Sequence, residues 1–328
     1  MSESHGEAAE QTNGTLDAID LSERRRALII INPYATAVTD RLRALVLAGL
    51  ASRYDVESVD TRARGHATEL AGAAVESGYD LVIAYGGDGT VNEVANGLIG
   101  SSTPLSCLPG GSANVYCKLL GIPNDIVDAT EHLLGLADGW APRLVDVGTV
   151  DGRHYTFSAG LGIDASVVAR VDANPRLKRR FGANFFLGTA LWTFARAYLR
   201  RPPRLLVDVD GETIGGITAI VQNAEHYTYM HKRPIDLAQD TTLDSGTLAG
   251  IVLRRGSVLD APSLLIRAMS NSLHVSGHGQ IGAFSHATEV TVRSADQRPL
   301  PLQIDGDYIG DVMEARFTVL PRALTVIA

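Results

Sequence analysis

The chain has 328 residues, 29 Lys+Arg, 37 Asp+Glu and a formal net charge of −8. Length predicts about two domains, and 45% hydrophobic residues are enough to build cores. The acidic balance argues against coating nucleic acid by bulk charge. Two cysteines, Cys107 and Cys117, exclude a disulfide scaffold and suit a reducing compartment. No apolar run reaches the ~20 residues of a membrane-spanning helix, and the N-terminus lacks a secretory pattern. A cytoplasmic protein is the expectation.

Residues 1–23 are polar and acidic and predict a disordered tail. Ala27 to Ile31 predict a buried strand that ends in a turn at Asn32-Pro33. Leu42, Leu45, Val46 and Leu50 recur at helical spacing. Val56 to Val59 read as a strand, and Leu70, Ala71, Ala74 and Val75 as a helix. Asp80 to Tyr85 form a third strand, followed by a helical face of Val91, Val94, Ala95 and Leu98. Leu105 to Leu108 give a fourth strand, Val115 to Leu120 start another helix, and Leu144 to Val147 give a strand. Strands alternating with helices predict an α/β domain with a parallel sheet over 24–148. In residues 149–328, strands are expected at Tyr155–Phe157, Leu205–Val209, Ile217–Gln222, Leu248–Leu253, Thr288–Val292, Ala315–Leu320 and Leu324–Ile327. Few helices separate them, which predicts a β-rich, antiparallel, sandwich-like second domain. A helix is expected over 183–201. Residues 176–204 hold eight cations, six aromatics and no acid. A solvated face over an aromatic stripe would account for part of this. Contact with an anionic membrane surface would account for the charge as well.

The strongest motif is Tyr85-Gly86-Gly87-Asp88-Gly89-Thr90-Val91-Asn92-Glu93, between an apolar strand and a helix. Free N–H groups and the helix dipole there suit phosphate. Thr90 is expected to cap the helix and Asp88 to face a metal or a hydroxyl. A plain glycine-rich turn with Asp88 as cap is the competing account. A second glycine turn, Pro109-Gly110-Gly111-Ser112-Ala113-Asn114, lies at the next strand end. With Asn32-Pro33, these turns share the carboxyl edge of a parallel sheet, where ligands bind. There is no P-loop motif. Gly160-Leu161-Gly162-Ile163-Asp164-Ala165 matches a dinucleotide fingerprint but lacks the acid ~20 residues on, so it reads as a coincidental match. Ile304-Asp305-Gly306-Asp307 is a hairpin turn or a general base. Asp240, Asp244 and Asp260 are candidate oxygen ligands for Mg2+. His274, His278 and His286 fall short of a zinc set.

These motifs, in this order, resemble the lipid kinases with a diacylglycerol kinase catalytic domain, and the likeness runs over about residues 26 to 328. Asn32-Pro33 is similar to that family's first nucleotide turn, and Thr61, before Gly65-His66-Ala67, to a nucleotide-contacting Thr. Gly86 to Glu93 form the core motif, and Ser112 takes the hydroxyl position of the second turn. Gly160 to Ala165 match a further family segment. Asp305 is similar to the first acid of Asp-Gly-Glu, the expected general base. The resemblance implies an ATP- and Mg2+-dependent transfer to a lipid hydroxyl, diacylglycerol first. A sphingoid base, another amphiphile or polyol, and a non-catalytic nucleotide-binding regulator are the alternatives. It implies nucleotide contacts at Asn32, Thr61, Gly86, Gly87, Asp88, Gly89, Thr90, Asn92, Glu93 and Ser112, and metal contacts at Asp88 and Asp244. A lipid substrate and peripheral membrane contact are expected partners, nucleic acid is not, and a homodimer is left open. Five positions depart from the family pattern. Tyr34-Ala35 stand for Ser-Gly, Val115 for Asp and Asp307 for Glu. Ser245 stands for an Asp that ligates a structural Mg2+ in the bacterial diacylglycerol kinases.

Overall fold

Ala27 to Ile31 are apolar, mostly β-branched and fully enclosed, which makes them the centre of the first strand. The computed structural model describes residues 24–172, 204–230, 233–256, 260–268, 270 and 273–328. Its first half runs β1 (Arg26–Ile31), α1 (Asp40–Leu50), β2 (Asp55–Asp60), α2 (His66–Glu76), β3 (Leu81–Gly86), α3 (Asp88–Leu98), β4 (Leu105–Pro109), α4 (Val115–Leu119), α5 (Ile126–Leu136) and β5 (Arg143–Val150). Strands β2, β1, β3 and β4 lie parallel in that order. The chain passes from β1 to one side and returns on the other. The strand order therefore reverses between β1 and β3, and a crevice opens beyond their carboxyl ends.

Helix α5 was not anticipated. Its signal was present: Asp125 accepts N–H bonds from Val127 and Asp128, ahead of an apolar face of Ala129 and Leu133. The helix expected from Val115 is only the short α4. In α1, Val46 and Leu50 are buried while Leu45 faces out.

The second half runs β6 (Arg153–Tyr155), β7 (Ser158–Gly162), α6 (Ile163–Asp172), β8 (Leu205–Val209), β9 (Glu212–Gly216), β10 (Thr218–Gln222), β11 (Thr228–Met230), β12 (Arg233–Ile235), β13 (Leu248–Leu253), α7 (Ala261–Ala268), a 3-10 turn (Val275–Gly277), β14 (Ile281–Ala287), β15 (Glu289–Ser294), β16 (Leu300–Ile304), β17 (Asp307–Val312) and β18 (Glu314–Val326). Six of these strands form an antiparallel sheet in the order β14-β13-β10-β7-β16-β17. Four more extend the first sheet past β4 in the order β18-β15-β8-β9, while β6 pairs β5 beside β18, and β11 and β12 pair with each other. Tyr155, Leu161, Val207, Val252 and Phe317 belong to the core shared by these strands. The fold is thus an α/β domain with a parallel sheet joined to a β-rich antiparallel half, as the sequence predicts.

Two expected elements differ. Ala315–Leu320 and Leu324–Ile327 are one strand, β18, with a register shift between Leu320 and Leu324. Arg322 sits in the shift at φ 52°, and its N–H donates to Asp146 Oδ1 at 2.8 Å. The strand expected at Tyr155–Phe157 breaks after Tyr155. The N–H groups of Thr156 and Phe157 donate to the Asp305 carboxylate. The helix expected over 183–201, the acidic tail and the basic stretch up to residue 203 lie outside the described residues. Among the described residues, no helix is long and apolar enough to cross a membrane.

Candidate active site

The crevice is lined by the turns that follow β1, β3 and β4. Asn32 bridges the first two. Its N–H donates to Tyr85 O at 2.9 Å, and its amide Nδ2 to Thr90 Oγ1 at 3.1 Å. Thr90 is therefore not the helix cap. The cap position of α3 is Gly87, which has no side chain to offer, so the first turn of α3 keeps donors for a ligand. Thr61 is buried at the end of β2 and donates its N–H to Ile31 O at 2.8 Å.

The glycine turns touch backbone to backbone. A Cβ on Gly110 would stand 2.9 Å from Gly86 Cα, and one on Gly111 2.7 Å from Gly87 Cα. Only glycine permits this approach. Gly110 N–H donates to Gly86 O at 2.8 Å, and Ala37 N–H to Gly110 O at 2.9 Å, so three turns are laced into one rim. Asn114, at φ 48°, holds the second turn through bonds to both backbone groups of Gly111. Ser112 is exposed at its tip, and Tyr34 stands 80% exposed on the first turn.

Asn92 and Glu93 do not join this rim. Glu93 accepts the Ala67 N–H at 3.2 Å and so caps α2, whose own cap residue is Gly65. Asn92 reaches into the second half, donating to His154 O at 3.1 Å and to Asp305 Oδ2 at 2.8 Å. Both tie α3 to other elements of the fold.

Asp305 is 5% exposed and sits between β16 and β17. Asp305 and Gly306 have φ of 47° and 81°, the pattern of a two-residue hairpin turn that favours Asp-Gly. Oδ2 accepts from Thr156 N–H, Thr156 Oγ1 and Asn92 Nδ2, and Oδ1 from the N–H groups of Phe157 and Ser158. A carboxylate offers about four lone-pair sites, so five donors saturate it. Burial raises its pKa above the usual range, against the pull of those N–H groups and the Thr156 hydroxyl. Asp307, one turn on, is half-exposed. It pairs with Arg64 at 3.2 Å, and its Oδ2 would lie 2.9 Å from a Cβ on Gly89. Asp307 and Arg64 thus border the first turn of α3, a meeting that no local pattern announces.

Asp88 is half-buried at the start of α3, and its Oδ1 accepts the Tyr116 N–H at 3.0 Å. Burial pushes its carboxyl up to about 6. The Asp305 charge adds to this, while the N–H groups of Tyr116 and Val115 and the Lys118 charge oppose it. Lys118 was missed from sequence. Its Nζ donates to Ala113 O at 2.6 Å and lies 4.7 Å from the Tyr229 ring centroid. Its spacing of one helical turn from Asn114 was the available signal. Burial lowers its pKa.

Asp244 does not approach this site through any bond. It is exposed and accepts from Thr242 Oγ1 at 2.7 Å. Ser245 Oγ donates to Thr242 O and Thr247 O, and the loop's Gly246 N–H is held by Asp146 Oδ2 at 2.5 Å. Among the described residues, no group of three His, Cys, Asp or Glu could hold a metal ion. This donor set does not fit the structural Mg2+ that the resemblance implies, because Ser245 completes the loop with its own hydrogen bonds.

The family model for the diacylglycerol kinase catalytic domain matches residues 26–149. A Pseudomonas fluorescens protein named "Probable lipid kinase YegS-like" is 30% identical over 311 residues, covering 93% of this chain and 96% of that protein. The chain belongs to this lipid kinase family. The diacylglycerol kinase of Bacillus subtilis is 27% identical over 317 residues, covering 92% of this chain and 96% of its own length. The crystal structure of a diacylglycerol kinase from Bacillus anthracis shares the fold, with TM-score 0.68 at 19% identity over 93% of this chain and 97% of that one. As a lipid kinase, the chain is a phosphotransferase with an alcohol acceptor.

Proposed function

We propose that this lipid kinase transfers the γ-phosphate of ATP to the free hydroxyl of diacylglycerol. The observation that carries the reading is the meeting, at the strand-order reversal, of two packed glycine turns and one carboxyl held near pKa 6. The uncapped first turn of α3 and the rim of Asn32, Thr61, Gly86, Gly87 and Ser112 suit the nucleotide phosphates. Phosphoryl transfer needs mainly positioning and charge stabilisation.

Asp88 is the better proton acceptor. A base titrating near neutrality serves catalysis at neutral pH, and Asp88 accepts fewer donors than Asp305, the N–H groups of Tyr116 and Val115. Asp305, saturated by five donors, is the anchor of the hairpin. Mg2+ carried by ATP would supply charge neutralisation, with Asp307 as the carboxylate of this chain to hold it.

Labelled ATP with mixed lipid vesicles tests the reading. Label in phosphatidic acid supports it. Label in a sphingoid base or polyol moves the substrate, and nucleotide binding without transfer leaves a regulator. Peripheral docking through residues 176–204 belongs to the same reading. Vesicle cosedimentation should require anionic lipid and weaken with salt, and salt-insensitive binding to neutral vesicles would refute it.

A further inference from the structure

Beyond the glycine rim, a second line of polar groups runs behind the Asp305 hairpin. Gln303, on β16, is fully buried. Its Oε1 accepts the Gly306 N–H at 2.8 Å, and its Nε2 donates to Asp164 Oδ2 at 2.7 Å. Asp164 lies in the first turn of α6, which packs on β16 and β17. Its other oxygen, Oδ1, accepts from the Tyr227 hydroxyl, near the β11–β12 hairpin. Burial raises the Asp164 pKa, against these two donors.

The backbone is shaped around this chain of bonds. Gly160 lies across the ladder from Gln303, and a Cβ there would stand 2.6 Å from Asp164 Oδ2 and 3.2 Å from Gln303 Nε2. The glycine keeps open the space in which the two side chains meet. The register of β16 with β17 shifts between Leu302 and Gln303, so Gln303 occupies an irregular point of the hairpin. Bulges of this kind re-aim a side chain next to functional sites.

We propose that Gln303 is a positioning residue, which fixes the Asp305-Gly306 turn, and with it Asp305 and Asp307, by bridging the Gly306 N–H to Asp164. The inference rests on the kinase reading for its activity readout, while its structural readout is independent of that reading. Loss of the bridge frees the turn between two strands and lets Asp307 drift from Gly89. A displacement of about 1 Å near the reacting groups lowers turnover by about 100-fold.

Three variants test it. Gln303→Leu removes both bonds. Gly160→Ala forces Asp164 and Gln303 apart without replacing either. Gln303→Glu keeps the shape but sets a carboxyl against the Asp164 carboxyl, with Tyr227 the other titratable group on that acid. One shared proton then restores the bridge: the introduced carboxyl, once protonated, donates to Asp164 and still accepts from Gly306. A carboxylate pair of this kind has one strongly raised pKa. The Gln303→Glu variant should therefore keep activity on the acid side of that raised pKa and lose it as pH rises through it, a basic limb absent from the wild type. Gln303→Leu and Gly160→Ala should lower kcat by about 100-fold with the ATP KM little changed. Hydrogen exchange at the Gly306 amide should be slow in the wild type and fast in Gln303→Leu, with the β7–β10 amides unchanged. A Gly306 amide that stays protected in Gln303→Leu overturns the proposal. So does a wild-type pH profile in Gln303→Glu. If the wild type phosphorylates no lipid, the kinase reading falls, and Gly306 exchange alone decides the role of Gln303.

Discussion

Asp88-Gly89 and Asp305-Gly306 are both Asp-Gly pairs at the end of an apolar strand. One opens α3 and the other turns β16 into β17. Burial pushes both carboxyls upward. They differ in the groups they accept. Asp88 Oδ1 takes the Tyr116 N–H, whereas Asp305 takes two side-chain donors and three consecutive backbone N–H groups. On the proposed reading, the number of donors separates a carboxyl that can exchange a proton from one that serves as a fastener. The family resemblance gives the general base to Asp305 and nucleotide and metal contacts to Asp88, and the reading proposed above reverses the first of these.

The contrast is broken most directly at Asp88. Asp88→Asn should lower kcat by about 10²–10⁴-fold, the usual share of a general base, with nucleotide binding kept. Its stability at pH 8 should hold or rise, because the ionised form of a carboxyl raised from 3.8 to about 6 is disfavoured by folding. Steady-state kinetics and denaturant unfolding read both effects. Asp305→Ala should act in the opposite sense, on the fold first. It strands the N–H groups of Thr156, Phe157 and Ser158, and unfolding should show a loss on the order of 3–5 kcal/mol. An Asp305→Ala protein as stable as the wild type would end its role as an anchor.

Smaller effects sharpen the same picture. Gly111→Ala pushes a methyl toward Gly87 Cα. It should cost about 1–3 kcal/mol of stability and weaken nucleotide binding, as calorimetry would show. The wild-type kcat/KM should fall as pH drops through about 6, since Asp88 must be ionised to accept a proton. Residual Asp88→Asn activity should lack that acidic limb. The smallest effect concerns metal. Chelation should leave the thermal midpoint of the nucleotide-free protein unmoved, because the 241–247 loop is closed by Ser245, Thr242 and Asp146. A large drop would restore the structural Mg2+ site.

Much of the parallel half was legible because its signals are local. Apolar strand runs, helical faces and glycine turns lie within a few residues of one another, and the sheet edge follows from right-handed crossovers. What escaped was long-range. The carboxylate of Asp305 faces Thr156 to Ser158 and so interrupts a strand that periodicity predicts. Glu93 and Asn92 sit inside the strongest motif, yet they serve α2 and the hairpin. Arg64 approaches the site from a turn whose pattern carries no hint of it, and Lys118 is marked only by its spacing of one helical turn from Asn114. Ser245 shows the converse: a single departure from a motif marked the loop whose donor set does not fit a metal.

Strand β18 carries a further consequence. Its early residues Ala315 and Phe317 lie in the core of the β-rich half, and its late residues Leu324 and Val326 lie in that of the parallel half. The Thr325 hydroxyl bonds Ser101 O across 224 positions of chain. Such a strand ties the order in which the protein assembles to one of its most distant contacts, which slows folding. It also denies the two halves separate melting. Heating should find one cooperative transition where the chain length suggests two domains.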